Sequence, residues 1–162
     1  MSEKRDDILM WSHYAQGHTG VCLEFECQLG GPALGVPLPV IYAEKMPSLN
    51  FAKTFARTEA GSDGEREALL EFGKLIFLTK AIDWKYEREW RYIDFALEGV
   101  RRFGLRGFPE RLLKGIILGC QMDDSERLEL LEFARNRSAP FMVYQAVKKP
   151  SQFELEITPV DP

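Results

Sequence analysis

Ile116, Ile117 and Leu118 stand in a row between Gly115 and Gly119. The run is too short for a helix and too apolar for a surface loop, so it reads as a short buried strand punctuated by glycine at both ends. Such a strand commits the chain to a sheet with a core. Residues 20–26 (Gly-Val-Cys-Leu-Glu-Phe-Glu) alternate as a half-buried strand does. A loop through Gly30-Gly31-Pro32 precedes a second strand ending in Pro39-Val40-Ile41-Tyr42. A short helix is expected at 50–60. Gly61-Ser62-Asp63-Gly64 then breaks the chain before a helix at 65–80, where Leu69, Phe72, Leu75, Ile76 and Thr79 recur at helical spacing. Residues 84–95 read as a strand and 104–109 as a loop. Asp123 with Glu126 three residues on forms a capping-box start for a helix to about Arg135, with basic residues in its last turn. Residues 141–147 and 152–158 form a hairpin about Lys149-Pro150-Ser151. Regular strand-helix-strand alternation is absent. The expectation is an α+β fold, a mixed, largely antiparallel sheet with about three helices, in a single domain over 1–162.

The 162 residues are 45% hydrophobic and 28% charged, enough for a core without staples. A net charge of −4 leaves no excess of Lys and Arg to neutralise a phosphate backbone, which disfavours a dedicated nucleic-acid binder. The longest apolar runs fall short of the ~18 residues of a membrane span, and the charged opening Met-Ser-Glu-Lys-Arg-Asp-Asp is no signal peptide. Three cysteines, Cys22, Cys27 and Cys120, without a C-x-x-C, indicate small buried thiols in a reducing cytoplasm.

The densest chemistry lies in residues 84–92, Trp-Lys-Tyr-Glu-Arg-Glu-Trp-Arg-Tyr. In an extended chain Trp84, Tyr86, Trp90 and Tyr92 share one face with Arg88, and Lys85, Glu87, Glu89 and Arg91 share the other. One carboxylate of this pair would stabilise a developing positive charge and the other serve as general base, with Arg91 and Lys85 holding at least one ionised. The competing readings are a solvated face of cross-strand ion pairs and a helix pairing Glu87 with Arg91 at i,i+4.

The second cluster is Met10-Trp11-Ser12-His13-Tyr14-Ala15, followed by His18 and Cys22. It reads either as a structural turn or as a ligand-lining element presenting Ser12, His13 and Tyr14. The His13, His18 and Cys22 spacing matches no strong metal-ligand pattern, so no metal is assigned. Gly115 to Gly119 lacks the lysine and glycine pattern of a phosphate loop.

Together these clusters resemble the bacterial and phage domain-of-unknown-function family twenty-nine seventy-one. The shared elements are W-S-H-Y at 11–14 with Gly20-Val21-Cys22, then Lys80 with W-x-Y-E-x-E-W-R at 84–91, and L-K-x-I-I-L-G at 113–119. Relative to that family the chain looks to be without an N-terminal region carrying an opening strand and an Asn-Asp-Pro motif. Such a remainder is expected to expose a sheet edge and form a homodimer through it.

A more distant resemblance is to ADP-ribosyltransferases, with their split sheet. It implies NAD as the small-molecule, nucleotide ligand. Glu89 would be the catalytic carboxylate and Glu87 the acceptor-side one, with His13 and Tyr14 near the nicotinamide and Ser12 and Arg91 also in the ligand site. The implied role is a transferase-like scaffold of a toxin or phage-defence system. If the NAD-gripping element belongs to the N-terminal region, this chain alone binds NAD poorly. The alternative is a non-catalytic binding or protein-interaction module, in which Glu87 and Glu89 pair with Arg88, Arg91 or Lys80.

Overall fold

A computed structural model describes residues 1–27, 36–48, 62–93 and 107–162. In chain order the elements are α1 (Ile8–Tyr14), β1 (Val21–Phe25), β2 (Leu38–Pro39), β3 (Ile41–Ala43), α2 (Asp63–Leu78), β4 (Thr79–Ala81), a 3-10 helix (Ile82–Glu87), β5 (Trp90–Arg91), a second 3-10 turn (Glu110–Leu112), β6 (Leu113–Leu118), α3 (Asp124–Arg135), β7 (Met142–Lys148) and β8 (Leu155–Val160). The fold is α+β. Among the described residues, three strand pairs are antiparallel and two are parallel. The chain divides into two compact units, Met1–Glu3 with Gly35–Phe95, and Lys4–Leu34 with Ala96–Pro162.

The second unit is built on a four-stranded sheet in the order β1-β6-β7-β8. Its inner strand β6 is the glycine-bracketed apolar run, and the sheet explains why the run does not alternate. Ile117 points to one face, where Trp11 of α1 and Ala15 at its C-cap meet Ala146 and Leu155. Ile116 and Leu118 point to the other, against Leu131 and Ala134 of α3 and Val143. Both faces are covered, so every position is apolar. Burying these side chains stabilises the unit by about 1.5–3 kcal/mol each. β6 and β7 are parallel neighbours, and α3 is the crossover that such a pair requires. One strand-helix-strand unit therefore sits inside an otherwise antiparallel sheet.

The bracketing glycines also have a packing cause. A Cβ on Gly115 would lie 2.7 Å from the Met142 carbonyl oxygen, and one on Gly119 would lie 2.1 Å from that of His18. Asp123 caps α3 as expected, accepting the Ser125 N–H at 3.0 Å and its hydroxyl at 2.9 Å. The 142–160 hairpin turns through Ser151, whose φ is +58°. Residues 10–15, read from sequence as a turn or ligand-lining element, instead belong largely to α1. Asp7 caps this helix by accepting the N–H groups of Leu9 and Met10 at 3.0 and 3.2 Å. Gln16, Gly17 and His18 then follow in left-handed backbone, at φ +50°, +62° and +71°, and reverse the chain into β1. Cys22 and Cys120 are half-buried, but Cys27 is exposed, contrary to the expectation of three buried thiols.

In the first unit Ser62 caps α2 by accepting the Glu65 N–H at 3.2 Å. Asp63 and Gly64 thus open the helix rather than belong to the break before it. α2 ends at Leu78, and Thr79 and Lys80 stand in β4, not in the helix. β4 runs parallel to β3 with Tyr42 opposite Lys80; β5 runs antiparallel to β2. Ser2 bridges antiparallel to Glu89. The expected loop at Gly30-Gly31-Pro32, the helix at 50–60 and residues 94–106 lie outside the described residues. No helix among the described residues is long and apolar enough to cross a membrane.

Candidate functional site

The acidic pair does not lie in one extended strand. Residues 82–87 form a 3-10 helix, Arg88 is left-handed at φ +44°, and strand pairing resumes only at Glu89. The aromatic residues favour extended backbone locally, but tertiary partners override that preference. Glu87 is pulled inward to Lys80, and the Glu89 N–H donates to the Tyr42 hydroxyl at 2.8 Å. The left-handed step at Arg88 changes the face from one residue to the next. It nevertheless leaves both carboxylates directed at a single ammonium.

That ammonium belongs to Lys80, which donates to Glu87 Oε2 and, at 3.1 Å, to Glu89 Oε2. Arg91 grips Glu89 from the other side, Nε to Oε1 at 2.7 Å and Nη2 to Oε2 at 3.0 Å. Its Nη1 donates to the Phe77 carbonyl at 2.6 Å, one of the last carbonyls of α2. The Lys80 ammonium also lies 4.8 Å from the centre of the Trp84 ring. The Trp84 and Tyr86 rings are 6.1 Å apart and tilted by 33°. Glu87 is 2% exposed, whereas the side chains of Lys80 and Glu89 each keep 19% and that of Arg91 keeps 31%.

The electrostatics follow from these contacts. The Arg91 hydrogen bonds, helped by Lys80, hold the Glu89 carboxyl at about 2 although burial opposes them. Burial alone would lower the Lys80 ammonium, but its bonds to Glu87 and Glu89 outweigh that and raise it. Glu89 likewise raises Arg91. The second cation of the cluster is therefore Lys80, as the non-catalytic reading of the sequence allowed, and not the Lys85 of the catalytic reading. The Glu87–Arg91 helical pair is replaced by Glu89–Arg91. Glu89 is an ionised base of very low strength, suited to facing positive charge and unsuited to moving a proton near neutral pH.

Glu87, Glu89 and Arg91 thus come together within the first unit, joined by two residues absent from the expected site. Lys80 has a visible sequence signal, because it precedes the Trp84 motif by a short gap. Tyr42 has none, since only the parallel β3–β4 register brings it beside Lys80. Ser12, His13 and Tyr14 belong to the second unit and are exposed on α1. The His13 and Tyr14 rings meet edge to face at 6.3 Å. Tyr14 also borders a shallow depression of about 440 Å³, with Gln16, Val21, Met122, Glu126 and Glu129. His18 is buried with Nδ1 unpartnered, and burial, then the charge of Lys148, lowers its pKa. Among the described residues, no group of three His, Cys, Asp or Glu side chains is arranged to hold a metal ion.

A sheet-based α+β protein with a charged cluster beside an exposed tryptophan ring is a broad class. Comparison by family narrows it. Residues 10–92 match the family described as Protein of unknown function (DUF2971), and the chain belongs to that family. The matched segment contains both the Trp11–Tyr14 element and the Trp84–Arg91 element, and ends before the Leu113–Gly119 element. Comparison with curated proteins and with solved structures gives no match.

Proposed function

We propose that the Lys80, Glu87, Glu89 and Arg91 cluster is a ligand site of ADP-ribosyltransferase type, with NAD as the substrate class. The observation that carries this reading is a carboxylate held ionised at about 2 that still keeps a fifth of its side chain open to solvent. When the bond from ribose to nicotinamide breaks, positive charge develops on the sugar. A fixed anion beside it lowers the barrier without needing to change protonation. Trp84 and Tyr86 supply flat apolar surface of the kind a cationic ring stacks on. Lys80 and Arg91 supply positive charge for a pyrophosphate. Glu87 is buried against Lys80, so it contributes by fixing the ammonium.

The test is nicotinamide release from NAD by this chain, with NAD binding measured in parallel. Glu89→Gln is expected to lower turnover at least about a hundredfold, the scale of one lost electrostatic partner. A folded chain with no affinity for NAD overturns the proposal.

The second reading, a non-catalytic binding or interaction module, is favoured by a separate observation. Both oxygens of Glu89 and Oε2 of Glu87 already accept hydrogen bonds from Lys80 or Arg91. On that reading Glu89→Gln changes stability and leaves ligand affinity untouched.

A further inference from the structure

We propose that β1 pairs antiparallel with β1 of a second copy of this chain, joining two four-stranded sheets into one continuous sheet. Among the described residues, β1 and β8 are the two edges of the sheet in the second unit. The Gly20 carbonyl accepts the Gly119 N–H at 3.0 Å and so faces β6, while the Gly20 N–H, just before the strand, donates to the Ala15 carbonyl at 2.9 Å. Within β1 successive residues alternate in the direction of their backbone groups. The N–H and C=O groups of Cys22 and Glu24 therefore also face β6, and those of Val21 and Leu23 turn outward. Among the described residues, no backbone hydrogen bond reaches those outward groups.

The two edges are defended differently. β8 is blunted: the Glu154 carbonyl accepts the Lys149 N–H, which puts Pro159 in the outward set, where it has no N–H to offer. β1 contains no proline and no lysine. Its one charged side chain, Glu24, is engaged by Arg5 at 3.2 Å. Leu23, at its middle, is 48% exposed. An edge of this kind is a template for another strand.

A second copy is the occupant that the register fits. A two-fold axis at Leu23 sets Leu23 opposite its own mate, exchanging both outward backbone bonds. Cys22 then faces Glu24 in each direction, so no like charges oppose one another. Pairing of β1 with β8 of a neighbour would instead run into the missing donor at Pro159. The two-fold arrangement uses one edge of each copy and closes at a dimer.

The test is sedimentation velocity with light scattering on the 162-residue chain, with thermal melting monitored in parallel. The expected species is a dimer. Leu23→Lys places like charges at the axis and is expected to weaken self-association about tenfold or more. Leu23→Pro, which removes only the outward N–H of an edge strand, is expected to do the same. Leu128→Lys, on the exposed surface of α3, is expected to leave the dimer intact. A chain that stays monomeric to high micromolar concentration overturns the proposal. So does a dimer that survives both Leu23 variants in folded form.

Discussion

The two units hold their geometry by opposite means. In the second, Ile117 and Leu118 are fully buried and the sheet is clamped between α1 and α3 by apolar contacts on both faces. In the first, the described strands are two or three residues long, and the segment 82–91 is held by Lys80, Arg91 and Tyr42. Hydrophobic contact carries no titrating group and is not screened by salt, whereas ion pairs titrate and are screened. The first unit is therefore the one whose structure pH and ionic strength can alter.

The largest effect should come from the second unit. Gly119→Ala would drive a Cβ into the carbonyl oxygens of His18 and Gly20, at 2.1 and 2.7 Å. Both are backbone atoms, and they accept the bonds that tie the left-handed turn to the end of β6. Neither can swing aside as a side chain would. A loss of more than about 4 kcal/mol in urea denaturation, or failure to fold, is expected. A variant within about 1 kcal/mol of the parent would show this junction to be plastic, and would erase the contrast in rigidity.

An intermediate effect belongs to the first unit and to acid. Glu89 sits at about 2 when folded, against an ordinary 4.5. Its contribution is present in full above pH about 4.5 and is lost as pH falls towards about 2. With part of the side chain in solvent, the amount is about 2 kcal/mol. Denaturation curves of the parent and Glu89→Gln should converge across that window. Parallel curves would mean that the ion pairs do not carry the segment.

The smallest effect tests whether the apolar unit is wholly indifferent to pH. Burial lowers the pKa of His18 below its usual 6.5, so the unfolded chain takes up the proton first. Stability should decline as pH falls below about 6.5. His18→Asn, which tolerates left-handed backbone, should flatten that slope. An unchanged slope would assign the loss to another group.

What the sequence disclosed and what it hid divide along the same line. β1, β6, the terminal hairpin and the Asp123 cap were legible because alternation, an apolar run and a capping residue are local signals. The extended reading of residues 84–92 held at 89–91 and failed at 84–88. Its aromatic pattern was real, but the backbone there answers to Lys80 and Tyr42, which no spacing rule connects to Glu87 and Glu89. The convergence of the two carboxylates survived a wrong account of its cause. Period two suggested adjacency on a face, whereas a shared ammonium produces it. α1 was hidden for a simpler reason: it is only seven residues long and buries one large side chain, Trp11.

In chain order, Gly35–Phe95 interrupts the second unit, whose β1 precedes the interruption and whose β6 follows it. During synthesis β1 must wait for the whole inserted segment to be made before its partner strand exists. β6 in turn completes its pairing only when β7 arrives at the far side of α3. Closing the sheet is thus a late, long-range event, and long-range closures are slow. A cell that makes this protein carries, for that interval, nascent chains whose first strand has neither edge occupied.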